Sequence, residues 1–555
     1  MKRSALCLFL TGLAAIFAMS VETDRTKEID AVFEKWNRPD SPGAGVAVIE
    51  HGKMVYEKGY GLANLEYNIP IGPDTIFHVA SVSKQFTAMS IVLLERDGKL
   101  SIDDDVHKYL PELPDYGYKI TLRNLLQHTS GIRDQWQTLS TAGWSMEDVI
   151  TQDQILRMLF RQKELNFPPG TKHLYSNSGF TLLAEIVKRV SGKPLPEFCQ
   201  ERIFGPLKMT HTHFHLNLHQ IVPGRAYSYS SLPGGKFENA PLNYANVGAT
   251  SLFTTAGDLM RWLDNFRDPK VGGLAAIARM QEQCVLADGK KIDYGLGIAI
   301  DTYRGLHRLQ HSGGDAGFRS QVDWYPDQEL GVAVVSNLGN FNPSRAADQV
   351  AELFLEGKMS APAHEPETVT RNFITLQPPA MEKFVGHYPL PRINQSLDAV
   401  LDQGKLWNEL PNGMRLELKP TGPNGFYVGE LQADIEFTPK PGGGMSVKIT
   451  QPGAVNEGDR APKPVPMTTA ELAQYAGSYW NEELETQYRV IVRDGKLIAV
   501  HAHHGEIPLQ FVTKDQFQSK EFYFNNVKFI RDGKGSVTAL TVGGGRVNEI
   551  RFDRK

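Results

Sequence analysis

The sequence predicts an α+β protein in which helices cover an antiparallel sheet, followed by two small antiparallel β-barrel-like modules. Helical patterns stand at the start, middle and end of the first 357 residues, and a late run of strands extends from Leu306 to Ser336. Lys358 to Ala380 is rich in Pro, Ala, Glu and Thr without periodicity, which predicts a linker. At 555 residues the chain is too long for one ordinary domain.

The region after the linker contains two copies of one module. Phe384-Val-Gly386-His-Tyr388 returns as Tyr475-Ala-Gly477-Ser-Tyr479, Gly404-Lys-Leu406 returns as Gly495-Lys-Leu497, and Phe426 returns as Phe517. Each pair is 91 positions apart (477 − 386, 495 − 404, 517 − 426), and chance rarely keeps such a displacement constant. We predict a first domain at 21–357 with the helix-covered sheet, a linker at 358–380 and modules at 381–452 and 467–555. Short strands and many glycine turns indicate a barrel or sandwich for each module.

The amino end has the pattern of a cleaved secretory leader. Met1-Lys2-Arg3 precedes an apolar stretch from Ala5 to Phe17, and small residues stand before a cleavage point that we place after Ser20. An uncleaved membrane anchor is the alternative, but the stretch is short for a bilayer span. No later segment is long and apolar enough to span, so we expect a periplasmic or secreted protein without a stable membrane span.

Charge and cysteine content limit the possible partners. The formal net charge of −4 becomes −6 without Lys2 and Arg3, which are the charged residues of the leader. An acidic chain of this kind is expected to bind no nucleic acid. Cys7 leaves with the leader, and Cys199 and Cys284 can form a disulfide in an oxidising compartment or stay as two thiols. The oligomeric state stays open.

The elements of the first domain follow from periodicity, caps and glycine stops. We predict, in chain order, a hairpin from Gly45–Ile49 to Met54–Tyr60, a helix after Ser81 that Gly98 stops, a helix from Ile120, a helix over Ser178–Val190 closed by Gly192, a capped helix after Thr255, strands up to His311 and over Arg319–Tyr325 and Val332–Ser336, and a helix from Pro343. These elements give the antiparallel sheet its helical cover.

A serine and a lysine stand three positions apart at the head of an apolar run. If the run is a helix, Ser81 and Lys84 share a face, which places the amine beside the hydroxyl. A serine hydroxyl becomes a good nucleophile when a neighbour accepts its proton, and burial lowers the pKa of a lysine enough for that role. The apolar residues from Phe86 to Leu94 predict such burial. A Ser-x-x-Lys pair alone is weak evidence, since it occurs in many helices.

Tyr175 and Asn177 are two positions apart, so in an extended segment they point the same way. A tyrosine phenol can relay a proton when positive charge lowers its pKa, and Lys84 is a suitable neighbour. Asn177 could hold Lys84 or a substrate amide.

The tetrapeptide His311-Ser312-Gly313-Gly314 ends a predicted strand. Its glycines allow close backbone approach, so the strand can offer an edge to an extended substrate. The backbone N–H groups of Gly314 and Ser81 could then form an oxyanion hole. A glycine turn between strands is the plainer alternative.

In this order, Ser-x-x-Lys, Tyr-x-Asn and His-x-Gly resemble the motifs of the serine β-lactamase and penicillin-binding-protein superfamily, over about residues 25–357. The Tyr-x-Asn form is similar to class C β-lactamases, serine DD-peptidases and D-aminopeptidases. The sequence around the motifs also resembles this superfamily, in the segments Phe77–Phe86, Leu125-Leu-Gln-His-Thr-Ser-Gly131 and Phe167-Pro-Pro-Gly170. The resemblance implies a β-lactamase-like domain with a catalytic set of Ser81, Lys84, Tyr175, Asn177 and His311. The two modules resemble the β-barrel domains that follow the catalytic domain in D-aminopeptidase.

The resemblance also implies a carboxylate site. Asn342-Pro-Ser-Arg345 matches an Asn-Pro-x-Arg sequence that lies near the substrate carboxylate in class C enzymes. Asn342 and Arg345 would then bind a carboxylate, with Arg319 as a second candidate beside Ser312, Gly313 and Gly314. A helix N-terminus with a surface arginine is the alternative.

His311 departs from the lysine that β-lactamases usually have. Histidine is largely neutral near pH 7, so efficient β-lactam hydrolysis is in doubt, and the histidine form is similar to D-aminopeptidases and related esterases. If neutral His311 is needed, activity rises as the pH passes its pKa. A second histidine group, His501-Ala-His503-His504, could suggest a metal, but we interpret it as a solvated loop.

The sequence therefore predicts a serine hydrolase that forms an acyl-enzyme with peptides or amides of D-amino acids, or with small esters, without a metal or organic cofactor. One alternative is a class C-like β-lactamase. Another is a catalytically weak penicillin-binding or sensor protein that uses its barrels for recognition. Whether the barrels reach the active site stays open.

Overall fold

A computed structural model describes residues 25–360, 372–390, 395–410, 415–431, 433–451, 454–461 and 467–555. The predicted leader and residues 361–371 of the predicted linker lie outside the described residues. The chain divides into two compact units, one made of the residues up to Gln135 with Met146–Ser360, the other of Trp136–Ser145 with Ala361–Lys555. The predicted first domain, 21–357, includes 136–145, whereas the structure groups these residues with the second unit.

A six-stranded antiparallel sheet organises the first unit. Its strands are β1 (Ala44–Glu50), β2 (Lys53–Tyr60), β3 (Ala299–Tyr303), β4 (Leu306–Asp315), β5 (Phe318–Tyr325) and β6 (Leu330–Ser336). The spatial order is β3-β4-β5-β6-β1-β2, so the amino-terminal hairpin joins the sheet through pairing of β1 with the last strand. Val46 lies opposite Val334 in this register. The predicted α+β class is confirmed.

Helices cover both faces of this sheet. The helix Pro343–Phe354 and helical residues 25–33 pack on one face, where Val46, Val334 and Ala347 share a buried cluster with Phe33. The helix Ala256–Arg267 contacts β1 and β6 on the other face. Because both faces are covered, β1 and β6 are buried along almost their whole length, which explains their unbroken apolar runs.

Two further helices carry candidate catalytic residues. We call Ser83–Arg96 α1, Asn177–Ser191 α2 and Pro343–Phe354 α3. Helix α1 is buried from Ser83 to Leu94 and packs against α2. Gly192, with φ of 74°, ends α2 as predicted. Ser81 lies in a short 3₁₀ turn, Ala80–Val82, immediately before α1 rather than inside it.

The remaining elements of the first unit are short. Its other helices are Leu122–Leu126, Gln152–Leu159, Leu195–Cys199, Gly205–Leu207 and Gly273–Met280, with a helix Gln135–Thr141 that runs from the first unit into the second. Its 3₁₀ and π turns are Glu34–Trp36, Val106–Lys108, Gln200–Phe204, Pro233–Gly235 and Pro326–Gln328. Its short strands are Leu62–Asn64, Ile69–Pro70, Phe77–His78, Ile150–Thr151, His213–Phe214, Tyr229–Leu232, Lys236–Asn239, Tyr244–Ala245, Leu252–Thr254, Cys284–Val285 and Lys291–Ile292. Among the helices described, none has both the length and the apolar character needed to cross a bilayer.

Both cysteines of the described first unit are free and buried. The Cys199 Sγ lies 3.3 Å from the Ser90 Oγ on α1, and burial raises the pKa of this thiol to about 12. Cys199 and Cys284 therefore stay as two thiols, the second of the two possibilities that the sequence left open.

In the second unit, the first repeat forms two antiparallel sheets around a common core. One sheet contains Gly386–Leu390, Gln395–Asp402, Lys405–Glu409 and Arg415–Glu417, and the other contains Lys419–Pro420, Gly425–Val428, Ala433–Pro439, Met445–Gln451 and Ala454–Asp459. Helical turns are Pro378–Met381, Glu382–Phe384 and Gly429–Leu431. The core is aromatic and aliphatic, with Phe384, Tyr388 and Phe437 fully buried.

The second repeat is a closed eight-stranded barrel. Its strands are Gly477–Asn481, Thr486–Arg493, Lys496–His501, Gly505–Thr513, Gln516–Gln518, Asn526–Arg531, Val537–Gly544 and Val547–Arg554, after a helix Thr469–Ala473. Closure pairs the first strand with the last, so the barrel leaves no sheet edge exposed.

The predicted repeat is visible in equivalent contacts. The Tyr388 hydroxyl donates to the Phe384 carbonyl at 2.9 Å, and the Tyr479 hydroxyl donates to the Tyr475 carbonyl at 2.7 Å. The ring centroids of Phe384 and Phe426 are 5.1 Å apart, and so are those of Tyr475 and Phe517. Residues at equivalent positions therefore make the same contacts in both modules.

The segment 136–145 is held by the barrel within the second unit. The Gln137 side-chain amide donates to the carbonyls of Phe522 and Gly544 and accepts from the Arg546 N–H at 2.9 Å. The Thr141 hydroxyl donates to the Tyr523 carbonyl at 3.0 Å. Both polar ends of the Gln137 amide are therefore satisfied by barrel backbone.

The His501-Ala-His503-His504 group also binds this segment. The predicted loop is confirmed for the turn 502–504, where His503 is exposed, whereas His501 is buried at the end of a strand. His503 Nδ1 donates to the Gly143 carbonyl at 3.1 Å, and His504 Nε2 donates to the Ser140 carbonyl at 2.7 Å. The Tyr488 hydroxyl donates to the Thr141 carbonyl at 3.0 Å. These donors bond to carbonyl groups at and just beyond the end of the helix Gln135–Thr141, where intrahelical hydrogen bonding ends.

We call these contacts between the barrel and segment 136–145 the clamp. Replacing Gly143 by alanine tests the clamp. Gly143 has φ of 103°, and a Cβ there would lie 2.2 Å from His501 Cε1. The Gly143→Ala variant should therefore loosen segment 136–145, and its amides should exchange with deuterium about tenfold faster or more. Gly442→Ala is the matched control, because Gly442 has φ of 87° but open space around its Cα. Equal protection of segment 136–145 in both variants would contradict the clamp.

Candidate active site

The backbone around Ser81 is held in an unusual conformation. Ala80 has φ of 46°, which few non-glycine residues adopt. The Ser83 hydroxyl donates to the Ala80 carbonyl at 2.5 Å and accepts from the Leu252 N–H at 3.0 Å. The Ser320 hydroxyl on β5 donates to the Val79 carbonyl at 2.8 Å. These contacts fix the turn that presents the Ser81 side chain.

The Lys84 amine lies beside the Ser81 hydroxyl and is fully buried. Its Nζ is 3.0 Å from the Ser81 Oγ, 2.9 Å from the Asn177 Oδ1 and 2.7 Å from the Ala249 carbonyl oxygen. A neutral amine has two N–H groups and one lone pair. In that form, the two N–H groups would donate to Asn177 and Ala249, and the lone pair would be left for the Ser81 proton.

Asn177 is oriented by a buried carboxylate. At the start of α2, both its backbone N–H and its side-chain Nδ2 donate to Asp134 Oδ2, each at 2.8 Å. The side-chain oxygen is thereby turned toward Lys84. Of the two roles predicted for Asn177, the structure shows the contact with Lys84.

Tyr175 brings the second motif to the same place. The Lys84 Nζ lies 4.9 Å from the centre of the Tyr175 ring. The ring centroids of Tyr175 and His311 are 6.3 Å apart, and those of Tyr175 and His128 are 4.1 Å apart. Ser81, Asn177 and Tyr175 therefore lie around one amine, and His311 lies next to Tyr175, although the three motifs are far apart in the sequence.

His311 is buried and neutral. Its Nδ1 donates to the Ser312 carbonyl at 2.7 Å, and its Nε2 lies 3.0 Å from the Tyr294 hydroxyl. Burial first, and then the nearby Lys84 charge, lower the pKa of His311 to about 4, although the bond to Ser312 acts in the opposite direction. If activity rises as His311 loses its proton, this rise is therefore expected below pH 5.

The glycines after His311 allow β4 to approach the nucleophile. A Cβ on Gly313 would lie 2.3 Å from the Val79 carbonyl oxygen and 3.0 Å from the Ser81 nitrogen. Gly314 is paired with Arg319 across the sheet. Because β3 pairs with β4 only up to Gln310, residues 311–315 keep one edge that neither β3 nor β5 occupies. This edge is the one predicted for an extended substrate.

The residues predicted to bind a carboxylate make contacts of their own within the protein. Gln321 accepts a bond from Ser344 of α3, whereas the neighbouring Ser320 bonds to Val79, so alternate β5 side chains face opposite sides of the sheet. Arg319 therefore lies on the α3 side, where its Nη1 donates to the carbonyls of Ala316 and Phe318 at 3.0 and 2.6 Å. Burial lowers the pKa of this guanidinium.

Asn342 caps α3 by accepting the Arg345 N–H at 3.0 Å, and both side chains are exposed, as is Ser312. These contacts are those of the alternative interpretation, a helix N-terminus with a surface arginine. Carboxylate binding by Asn342 and Arg345 stays a prediction.

Sequence reasoning missed four groups that contact the motif residues: Asp134, His128, Tyr294 and the Ala249 carbonyl. Asp134 and His128 lie in residues 127–134, which join the helices Leu122–Leu126 and Gln135–Thr141 and are mostly polar. A run of polar residues between two helices was the signal available in the sequence. A further missed contact joins His78 to Asp315 at 2.9 Å, with Thr250 3.1 Å from the His78 ring. It links the turn before Ser81 to the end of β4.

Comparison with known proteins gives consistent results. A family model described as Beta-lactamase matches residues 29–355. Penicillin-binding protein 4* of Bacillus subtilis (strain 168) is 26% identical over 457 residues, which cover 79% of this chain and 100% of that protein. A D-aminopeptidase of Cereibacter sphaeroides (strain KD131 / KCTC 12085) is 27% identical over 467 residues, 82% of each chain.

A solved structure, the octameric penicillin-binding protein homologue from Pyrococcus abyssi, is 20% identical with a TM-score of 0.55, and the match covers 89% of this chain and 99% of that one. At this level of identity, the likeness shows a shared fold.

Asp134→Asn should lower kcat. The change keeps the shape of the side chain but removes the charge that accepts two Asn177 donors, so the Asn177 amide loses its fixed orientation toward Lys84. Hydrogen bonds to a charged group contribute on the order of 1.5–3 kcal/mol, which corresponds to a loss of roughly 10–100-fold in kcat. Asp327→Asn, at an exposed position in the same unit, is the control. A kcat equal to that of the control would show that Asp134 does not act on Asn177.

The pKa of His311 can be measured directly. Because burial and Lys84 lower it to about 4, the neutral form is the favoured form from pH 8 down to about pH 5. Histidine-selective NMR, with a His311→Gln variant to assign the signal, should therefore show no titration of His311 in this range. A midpoint between pH 6 and 7 would contradict the structure.

Proposed function

Because the chain belongs to the Beta-lactamase family, we propose that it is a serine hydrolase that forms an acyl-enzyme at Ser81 with peptides or amides of D-amino acids, or with small esters. The observation that carries this proposal is the position of the Lys84 amine. It lies 3.0 Å from the Ser81 Oγ and donates to the Asn177 Oδ1 and the Ala249 carbonyl. The preference for D-amino acids is supported by the similarity to a D-aminopeptidase along 82% of both chains.

Acylation begins with proton transfer from the Ser81 hydroxyl to the Lys84 lone pair. The Ser81 Oγ then forms a bond to the substrate carbonyl carbon, and the negative charge that develops on the carbonyl oxygen is stabilised by the N–H groups of Ser81 and Gly314. The leaving amine or alcohol takes up the proton from Lys84, directly or through the Tyr175 phenol, as the bond to the acyl carbon breaks.

Water completes the cycle. A water molecule gives a proton to Lys84 or Tyr175 and attacks the acyl carbon, after which the bond to Ser81 breaks and Ser81 recovers its proton. The free edge of β4, over residues 311–315, is suited to hold the backbone of an extended substrate during both steps.

The state of His311 bears on the substrate class. A neutral imidazole at this position does not supply the fixed cation that suits the carboxylate of a β-lactam. This supports peptides, amides and esters over the class C-like β-lactamase alternative.

A second candidate is a penicillin-binding protein of the DD-peptidase type. It is favoured by the match to penicillin-binding protein 4*, which covers the whole of that relative. Such a protein would be acylated by penicillin at Ser81 and release the product slowly. In a weakly catalytic form, the two modules after residue 380 would provide recognition.

We also propose that the protein acts in the periplasm or outside the cell. The leader pattern of residues 1–20 supports this location. Intact mass of the exported protein should correspond to a chain that begins after Ser20, and a full-length mass would count against cleavage.

A substrate panel and a serine variant test the proposal together. The wild type should hydrolyse D-amino-acid amides or p-nitrophenyl esters faster than nitrocefin, and a fluorophosphonate should add one adduct by intact mass. Ser81→Ala should lose the adduct and at least about a thousandfold of kcat/KM. Ser231→Ala, at an exposed serine, is the control. Equal labelling of Ser81→Ala would refute the nucleophile. Penicillin labelling with slow turnover of every D-amide would favour the second candidate.

A further inference from the structure

Three buried side chains form a hydrogen-bonded row that ends at His311. His128 Nε2 lies 3.2 Å from the Tyr294 hydroxyl oxygen, and the same oxygen lies 3.0 Å from His311 Nε2. The three residues are 2%, 6% and 5% exposed, so solvent does not compete for these bonds. Tyr294 and His128 have no place in the acyl-transfer steps described above.

The direction of every bond in this row is set by two backbone groups. At one end, the Ser176 N–H donates to His128 Nδ1 at 3.1 Å, so the ring proton of neutral His128 is on Nε2 and points to Tyr294. At the other end, His311 Nδ1 must carry a proton because its partner, the Ser312 carbonyl, can only accept. The Tyr294 hydroxyl therefore accepts from His128 and donates to His311 Nε2.

The charges around the row favour the same arrangement. Tyr294 remains a hydroxyl because burial and the neighbouring Tyr175 raise its pKa well above the usual value. Lys84 and Tyr175 face His311 from α1 and from the segment before α2, and the His173 ring packs 5.8 Å from Tyr294. A proton on His311 Nε2 would face the proton of the Tyr294 hydroxyl, so two donors would oppose each other and this tautomer is disfavoured.

We propose that Tyr294 and His128 are positioning residues that hold His311 in its Nδ1-protonated tautomer, with Nε2 as a hydrogen-bond acceptor. The ring of His311 is thereby fixed in one orientation beside Tyr175 and Lys84. This inference rests on the proposed hydrolase function for its kinetic consequence, whereas the tautomer itself can be measured without any substrate.

The direct test is ¹⁵N NMR of histidine-labelled protein. In the wild type at pH 7, the His311 signals should show a protonated Nδ1 and a hydrogen-bonded, unprotonated Nε2. In Tyr294→Phe, the Nε2 resonance should shift to that of an acceptor without a donor. Tyr303→Phe is the control, because it removes a partly buried tyrosine hydroxyl that donates to Glu352 on α3. A wild-type protein with the proton on Nε2 would overturn the proposal, as would an unchanged His311 signal in Tyr294→Phe.

Measurements of kcat and KM distinguish a positioning role of Tyr294 and His128 from a general loss of stability. Measured well below the unfolding temperature, Tyr294→Phe should lose about tenfold in kcat with little change in KM, the loss that one hydrogen bond can cause. His128→Ala should behave alike, and His128→Gln, whose amide can still accept and donate, should recover part of the loss. A folded Tyr294→Phe with wild-type kcat on its best substrate would overturn the proposal. If no substrate is hydrolysed by the wild type, the proposed function fails and the NMR result alone decides on the tautomer.

Discussion

The candidate site depends on a lysine amine that has been taken out of water. Burying a charged ammonium is costly, and the fully buried Lys84 amine lies beside the Ser81 hydroxyl whose proton we propose that it accepts. Its contacts with Asn177 and Ala249 use two N–H groups and leave the remaining position for Ser81. Without that geometry, the Ser81 hydroxyl would be an ordinary alcohol.

The sheet supplies the other half of the arrangement. Strand β4 reaches the turn before α1 because Gly313 has no side chain to collide with Val79 or Ser81. Ser320 on the adjacent strand bonds the same Val79 carbonyl, so the sheet and the nucleophile turn are joined by backbone contacts. A rigid sheet thus fixes the distance between the edge that can hold a substrate and the serine that attacks it.

Local patterns predicted much of this structure. The i, i+3 spacing of Ser81 and Lys84, the glycine stop at Gly192 and the constant 91-residue displacement each rest on rules that act within a short stretch or on direct repetition. The covered antiparallel sheet followed from the order of helices and strands.

Long-range contacts could not be predicted in the same way. Asp134 bonds Asn177 across 43 positions, Tyr294 bonds His128 across 166, and the Ala249 carbonyl reaches Lys84 across 165. None of these pairs has a spacing that a periodicity would reveal. The contacts between the barrel and segment 136–145 are equally remote in sequence, and no local pattern around His503 indicates them.

The rate of acylation shows whether Lys84 accepts the Ser81 proton. Time-resolved intact mass would follow formation of the acyl-enzyme with a p-nitrophenyl ester in wild type and in Lys84→Met, a change that keeps much of the buried volume. If Lys84 is the proton acceptor, acylation in the variant should be slower by about a thousandfold or more while the fold is retained. Acylation of folded Lys84→Met at the wild-type rate would contradict it.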